Sequence, residues 1–299
     1  MKVLITGKGG QLAWELENTQ PSQIQVVSLS REELDLTDVN QVNQVMLDIR
    51  PDVVINAAAY TAVDKAESDS TAAYAVNENG AEYLAIMCKE LGARMVHIST
   101  DFVFDGSQTT PYQTNAKTNP ISVYGASKLA GDAKVAAIMG SQACIIRTAW
   151  VYSAHGNNFV KTMLRLMQER EQLGIVYDQV GSPTWAKGLA SMIWALLAQT
   201  RLEQSSTAPT SDTCPIYHWT DAGVASWYDF AVAIAQLGLE KGLLTKAIEI
   251  KPIPASAYPT PAQRPSFSVL DKSSTELASG VDSRHWREQL SNMLDELTL

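Results

Sequence analysis

Five short runs in the first half of the chain, KVLIT, IQVVSL, DVVINA, RMVHIS and ACIIRT, are apolar along most of their length, and stretches with helical character separate them. Strands exposed on one face alternate polar with apolar residues; runs that do not alternate belong to strands covered on both faces. The βαβ rhythm predicts an α/β protein built on a Rossmann-like, doubly wound parallel sheet. Thr37 or Asp38 can cap a helix through VNQVNQVMLDIR, and Pro51 ends that helix before the third strand begins at Val53. Beyond about Trp150 the rhythm loosens into a helix near Phe159–Glu171, a strand at GIVYD, and helices near Trp185–Gln199 and Trp227–Leu237. The expected division is a first domain over 1–150 and a smaller C-terminal α/β lobe over 151–299, some of whose segments return to the first domain. The polar stretch LEQSSTAPTSDTCP reads as a mobile loop or linker. KPIPASAYPTPAQRP carries five prolines, so it should be extended, across the surface or along a cleft, and not helical.

Composition narrows the function classes. The 299 residues are 45% hydrophobic and 18% charged, enough for a sizeable core without disorder. The net charge of −9 argues against nonspecific binding to nucleic acid or to an anionic membrane, although backbone N–H groups and a few local cations can still hold an anionic small ligand. Cys88, Cys144 and Cys214 are widely spaced, lack CxxC spacing and read as small hydrophobes in a reducing compartment. The start MKVLITG has no apolar signal region, and SMIWALLAQ is too short to span a bilayer, so a cytoplasmic protein is expected.

ITGKGGQLAWEL follows the first strand and opens a helix, the setting a nucleotide loop requires. Gly7 permits a tight turn, Gly10 lets backbone approach a pyrophosphate, and the helix N-terminus at Gln11 and Leu12 supplies free N–H groups. Ala13 stands where many relatives have a third glycine and is small enough for the helix to approach the strand. The same glycines also suit an ordinary strand-to-helix turn; placement in the first βαβ unit favours binding. A carboxylate at the end of strand two would grip the ribose 2′-hydroxyl of NAD, but the sequence there is Ser28-Leu29-Ser30-Arg31. Ser30 can bond a 2′-phosphate and Arg31 can neutralise it, which tilts the expectation to NADPH with NADH still open; alternatively Arg31 is a solvated arginine beside Glu32 and Glu33. Asp35 and Leu36 suit the adenine edge. Ala57, Ala58 and Ala59, after Asn56, leave room for the cofactor backbone.

In YGASK, Tyr124 and Lys128 are four residues apart and share one face of a helix. A free tyrosine has a pKa near 10, and an adjacent ammonium is expected to lower it. Tyr124 then serves as general acid, giving a proton to a ketone oxygen as hydride reaches the carbon, while Lys128, which can also bind the nicotinamide ribose, assists. The bland alternative is a surface Tyr/Lys pair. Ser99-Thr100-Asp101 sits at the carboxyl end of strand four, where open α/β sheets bind ligands. Thr100 can bond the substrate oxygen beside Tyr124, with Asp101 next to it; alone, a strand-ending cap is equally plausible. The loop, NAAA, STD and YxxxK in this order are far less expected by accident than any one of them.

These motifs resemble the extended short-chain dehydrogenase/reductases, and within them the dTDP-4-dehydrorhamnose reductase family. The resemblance covers almost the whole chain and is carried by GKGGQLAWEL, RPDVVINAAAYTAVDKAE, HISTDFVFDG, YGASKLAGD, RTAWVY, GNNFVKTMLRL, DQVGSPT and PTPAQRP, with VDKAE and DQVGSPT the most particular. It implies reduction of the 4-keto group of dTDP-4-dehydro-L-rhamnose, Thr100, Tyr124 and Lys128 as catalytic residues, Trp150 of RTAW as a substrate contact, a dTDP-sugar as partner, and a homodimer as the assembly it admits. From its place after strand five, Trp150 can stack on the apolar face of a deoxysugar or form inter-lobe core. Arg264, between Pro261 and Pro265, can meet a pyrophosphate or remain a surface arginine. Family members can dimerise through Mg²⁺ held by glutamates. Glu15 matches one such position, but Lys187 stands where a second glutamate is expected, and an ammonium cannot ligate Mg²⁺, so no metal requirement is expected.

Other constellations are poor. His97 reads as a core histidine, His155, His218 and His285 lack metal spacing, and there is no GxSxG elbow. Two alternatives stay open. One is a catalytically silent nucleotide-binding regulatory subunit, as in a relative that regulates methionine adenosyltransferase; the other is an epimerase or a dehydratase, whose acidic residue beside the threonine Asp101 imitates.

Overall fold

The computed structural model describes residues 1–203 and 212–297. The polar stretch read as a linker over 202–215 therefore falls mostly outside the described residues. The chain opens with β1 (Lys2–Thr6), α1 (Gln11–Asn18), β2 (Gln25–Leu29), α2 (Val39–Ile49) and β3 (Val53–Asn56). It continues with α3 (Val63–Ala66), α4 (Ser70–Tyr74), α5 (Gly80–Leu91), β4 (Arg94–Thr100), α6 (Val123–Met139) and β5 (Ala143–Thr148). Beyond Trp150 come β6 (Val151–Tyr152), α7 (Phe159–Glu169), β7 (Gln172–Val176), β8 (Val180–Gly181), β9 (Thr184–Trp185), α8 (Ala186–Glu203) and β10 (Ile216–Trp219). The last elements are β11 (Ala225–Ser226), α9 (Trp227–Glu240), β12 (Glu249–Ile253), α10 (Ser273–Ser279) and α11 (Trp286–Leu297).

The five apolar runs become β1 to β5, which with β10 form a six-stranded sheet in the order β10-β5-β4-β3-β1-β2, every neighbouring pair parallel. Their lack of alternation has a direct cause. Val3 and Ile5 point into one buried cluster with Leu189 and Ile193 of α8, while Leu4 between them points into another with Met46 of α2 and Leu84 of α5. Asp38, not Thr37, caps α2, accepting from the backbone N–H groups of Asn40 and Gln41. That helix ends at Arg50 in the left-handed region (φ 48°), just ahead of Pro51.

Residues after Trp150 do two jobs. Part of them build a lobe around Tyr152, Phe230, Trp286 and Leu290, edged by three short two-stranded pairings. Another part returns: β10 extends the main sheet beside β5, and α8 packs against α1 through Leu189, Ile193, Leu12 and Leu16. The proline-rich segment is extended where β12 pairs with β7, but it also contains one 3-10 turn at Ala255–Ala257. Proline forbids a helix interior yet is well suited to precede a turn, and Pro254 (φ −70°) does so here. None of the described helices is long and apolar enough to cross a membrane.

From β1 the chain winds outward to β2, then crosses back to β3 on the other side of β1. This reversal leaves a crevice beyond the carboxyl ends of β1 and β3, the place where open α/β sheets bind ligands.

Candidate active site

A cleft of about 770 Å³ opens at that crevice and runs past the ends of β4 and β5. Gly7, Gly10, Gln11 and Leu12 line it at one end, and Ala57, Ala58 and Ala59 face them. Gly7 has φ 80°, and a Cβ there would sit 2.9 Å from the Cα of Ala58, so only glycine lets these two loops approach so closely. The N-cap of α1 is Gly10, with no side chain capping the helix and no acidic residue in its first turn. Its unsatisfied N–H groups and positive dipole end therefore suit a phosphate.

At the β2 end, Arg31, Asp35 and Leu36 line the cleft together with Lys8 and Leu34. Arg31 is 79% exposed and only 3.7 Å from Asp35, a loose pair on a solvated surface. Ser30 lies outside the lining; its N–H donates to Glu33, whose carboxylate also approaches Lys8 at 3.8 Å.

Thr100, Asp101, Tyr124, Lys128 and Trp150 all line the middle of the same cleft. Ser122 caps α6 by accepting from the N–H of Gly125, which orients the first turn carrying Tyr124. Gly125 brings that turn against the end of β4: a Cβ at this position would lie 2.2 Å from the carbonyl oxygen of Phe102. Phe102 meets the Tyr124 ring edge-on at 5.5 Å. The Thr100 hydroxyl donates to the Asp101 carboxylate at 3.1 Å and accepts from the Phe102 N–H. Lys128 is buried and donates to the carbonyl of Ile98 at 2.6 Å.

The electrostatics differ from the expectation that Lys128 lowers Tyr124. Burial pushes the phenol up to about 12; the Thr100 hydroxyl opposes this, and the Asp101 and Asp132 carboxylates reinforce it. Burial likewise pulls Lys128 down to about 8 against the Asp132 carboxylate. Asp101 is pushed up to about 6, again by burial, with the Ser268 and Thr100 hydroxyls opposing. Desolvation outweighs pairwise attraction here because the ammonium is turned to the Ile98 carbonyl. Tyr124 thus stands as a neutral phenol carrying the proton a general acid must give.

Trp150 adopts φ 48°, one of two non-glycine residues among those described with positive φ. The strain is held by packing: its indole stacks on Trp227 at 3.6 Å and 7°, and Gly181 leaves room for the ring edge. One indole face is therefore taken by Trp227 from the second lobe. Arg264 lies outside the cleft lining. Its guanidinium bonds Asp64 at 2.7 Å and also Thr260, an arrangement that holds the Asp64 carboxyl below its ordinary value. The proline flanks gave no sign of this partner, 200 positions away.

The structure also brings in groups that the sequence reading passed over. Tyr60, Thr61 and Val63 line the cleft after the alanines, and Gly156 and Asn157 line it from the segment between β6 and α7. This segment clasps the nucleotide loop. Asn158 donates to Gln11 at 2.9 Å, and His155 sits 3.0 Å from the Gly9 carbonyl, stacked on Trp14. The one local signal was Asn158 as a helix cap, which it is, for α7. Glu15 points away from the cleft, buried and bonded to Ser153 at 2.7 Å, and Lys187 pairs with Glu296 at 2.6 Å. No cluster of three or more metal-ligating side chains occurs among the described residues.

A family model described as the RmlD substrate binding domain matches residues 1–299, the full length of the chain. A dTDP-4-dehydrorhamnose reductase of Burkholderia thailandensis is 45% identical over 289 residues, 96% of each chain. The chain belongs to this family. Solved structures agree with its architecture. A dTDP-4-dehydrorhamnose reductase from Clostridium acetobutylicum superposes with a TM-score of 0.90 at 38% identity, covering all of both chains. One from Bacillus anthracis, determined in complex with NADP, gives 0.87 at 35% identity over 99% of each.

Proposed function

We propose that the protein reduces the 4-keto group of dTDP-4-dehydro-L-rhamnose to dTDP-L-rhamnose, with NADPH as the hydride source. The observation that carries this reading is the convergence of an uncapped helix N-terminus, Thr100, Tyr124 and buried Lys128 on one cleft. Residues 1–150 hold the dinucleotide and the catalytic groups, and residues 151–299 mainly hold the sugar nucleotide.

Gly7, Gly10, Gln11 and Leu12 would hold the diphosphate of the cofactor, the alanines its backbone, and Arg31 with Lys8 a 2′-phosphate. When bound, the nicotinamide supplies hydride to the carbonyl carbon. Tyr124 and Thr100 orient the carbonyl oxygen, and the neutral phenol gives it a proton as negative charge develops there. A sugar alkoxide is a stronger base than a phenolate, so this transfer is downhill even with the phenol at about 12. The phenolate left behind is stabilised by the Thr100 hydroxyl and the positive charge on Lys128. Trp150 offers its free indole face to the deoxysugar.

The test mixes protein with the 4-keto sugar nucleotide, formed in situ with a 3,5-epimerase, and follows loss of reduced nicotinamide absorbance with NADPH and with NADH. Substrate-dependent oxidation is expected; its absence with both cofactors refutes the reductase reading. Tyr124→Phe should lower kcat by about 10²–10⁴-fold while NADPH still binds, and full activity in that variant would remove Tyr124 from the chemistry.

A further inference from the structure

Tyr124, Lys128 and Asp132 follow one another at four-residue intervals along α6, so all three share a helix face. The first two face the cleft; the third is a carboxylate only 3% exposed, one turn deeper. Ser99, the neighbour of Thr100 on β4, donates to Asp132 Oδ2 at 2.9 Å. Arg147 of β5 brings its Nε to 3.5 Å from the same oxygen. His97 of β4 places Nε2 3.6 Å from Oδ1. The protonation of this histidine follows from its other side. Thr6 donates to Asn56 Oδ1, so the Asn56 amide nitrogen donates to His97 Nδ1, which must be the bare nitrogen of a neutral ring. The ring N–H is therefore at Nε2, turned to Asp132.

Burial pushes the Asp132 carboxyl up, and Arg147, Lys128 and Ser99 oppose it. The Arg147 guanidinium beside it favours the ionised form. On the lysine side, the Ile98 carbonyl of β4 accepts from Nζ, the Asp132 carboxylate is the charge that supports the ammonium, and His97 is neutral. Tyr124 and Cys214 feel the Asp132 charge without touching it, and Lys134, further along α6, already has Glu82 of α5 as its partner.

We propose that Asp132 is a positioning residue for the reaction: held by Ser99 and Arg147 one turn below Lys128 on the same helix face, it supplies the fixed negative charge toward which the Lys128 side chain is set. An ammonium taken out of water loses its proton readily unless a fixed negative charge faces it, and Asp132 is that charge. It touches neither substrate nor cofactor and acts through Lys128. The proposal rests on the reading of Lys128 given above, so its test includes a measurement that needs no turnover.

Protein labelled with ¹³C at lysine Cε, with Lys128 assigned by its loss in Lys128→Met, gives the Lys128 titration directly. A wild-type midpoint near 8 is expected, and Asp132→Asn should lower it by about one pH unit or more. The alkaline limb of kcat should move to lower pH with it, and Asp132→Glu should restore both. Asp132→Asn strands a buried guanidinium and can unfold the protein. Asp132→Asn/Arg147→Met removes both partners and should give the same shift in a folded chain. A lower melting temperature with an unmoved Lys128 midpoint, in either variant, overturns the proposal and leaves Asp132 a purely structural group. Loss of reductase activity in the wild type would overturn the function proposed above without touching this result.

Discussion

Gly125→Ala isolates how closely the catalytic helix must approach the end of β4. The added Cβ would stand 2.2 Å from the Phe102 carbonyl oxygen, 2.9 Å from its carbon and 3.1 Å from Pro120 Cβ. Carbon and oxygen do not pack closer than about 3.3 Å, so helix and strand end must separate by roughly 1 Å. Two of the atoms met are backbone and cannot swing aside. Gly125 follows Tyr124, and Phe102 comes two residues after Thr100, so the displacement opens the space in which both hydroxyls meet the substrate oxygen. A misplacement of about 1 Å costs up to about 10²-fold in turnover. Overpacking of this kind costs about 1–3 kcal/mol, and each kcal/mol lowers Tm by about 2–4 °C in chains of comparable size. The nucleotide loop lies elsewhere, so NADPH affinity should fall far less than kcat. Steady-state kinetics, a thermal melt and NADPH fluorescence titration read the three effects separately. A folded Gly125→Ala protein with wild-type kcat refutes the claim that this approach sets the geometry.

Arg31→Ala should raise KM for NADPH about tenfold or more, the worth of a charge-assisted hydrogen bond, and leave KM for NADH nearly unchanged. Equal effects on both cofactors would remove Arg31 from 2′-phosphate recognition. Asp221, buried and accepting from the Trp185 N–H, is pushed up to about 7 by desolvation. Its folded state holds a proton that the unfolded chain releases near 3.8, so stability is full below that value and falls as pH rises to about 7. Asp221→Asn removes this loss. Its stability relative to wild type should grow by on the order of 2–3 kcal/mol between pH 5 and pH 8, read by urea denaturation at the two pH values; a constant difference would contradict the assigned shift.

Much of the fold was legible in the sequence because its signals are local. The apolar runs mark strands buried on both faces, Asp38 caps the helix it precedes, and Gly7 and Gly10 announce a loop whose geometry depends on a few consecutive residues. The four-residue spacing of Tyr124 and Lys128 assigns them one helix face, and parallel topology carries the start of that helix to the carboxyl ends of β4 and β5.

What the tertiary structure decided involves partners far apart in the chain. Arg264 is turned aside by Asp64, Trp150 is held in strained backbone by Trp227, and the segment around His155 closes on the nucleotide loop. The return of β10 to the main sheet is of the same kind. The sign of the Tyr124 shift is the plainest case. Spacing predicted a lysine that lowers the phenol, whereas burial, which no local pattern encodes, raises it to about 12. Period and turn chemistry are properties of neighbours in sequence; desolvation and ion pairing are properties of neighbours in space, and they arise only once the chain has closed over the site.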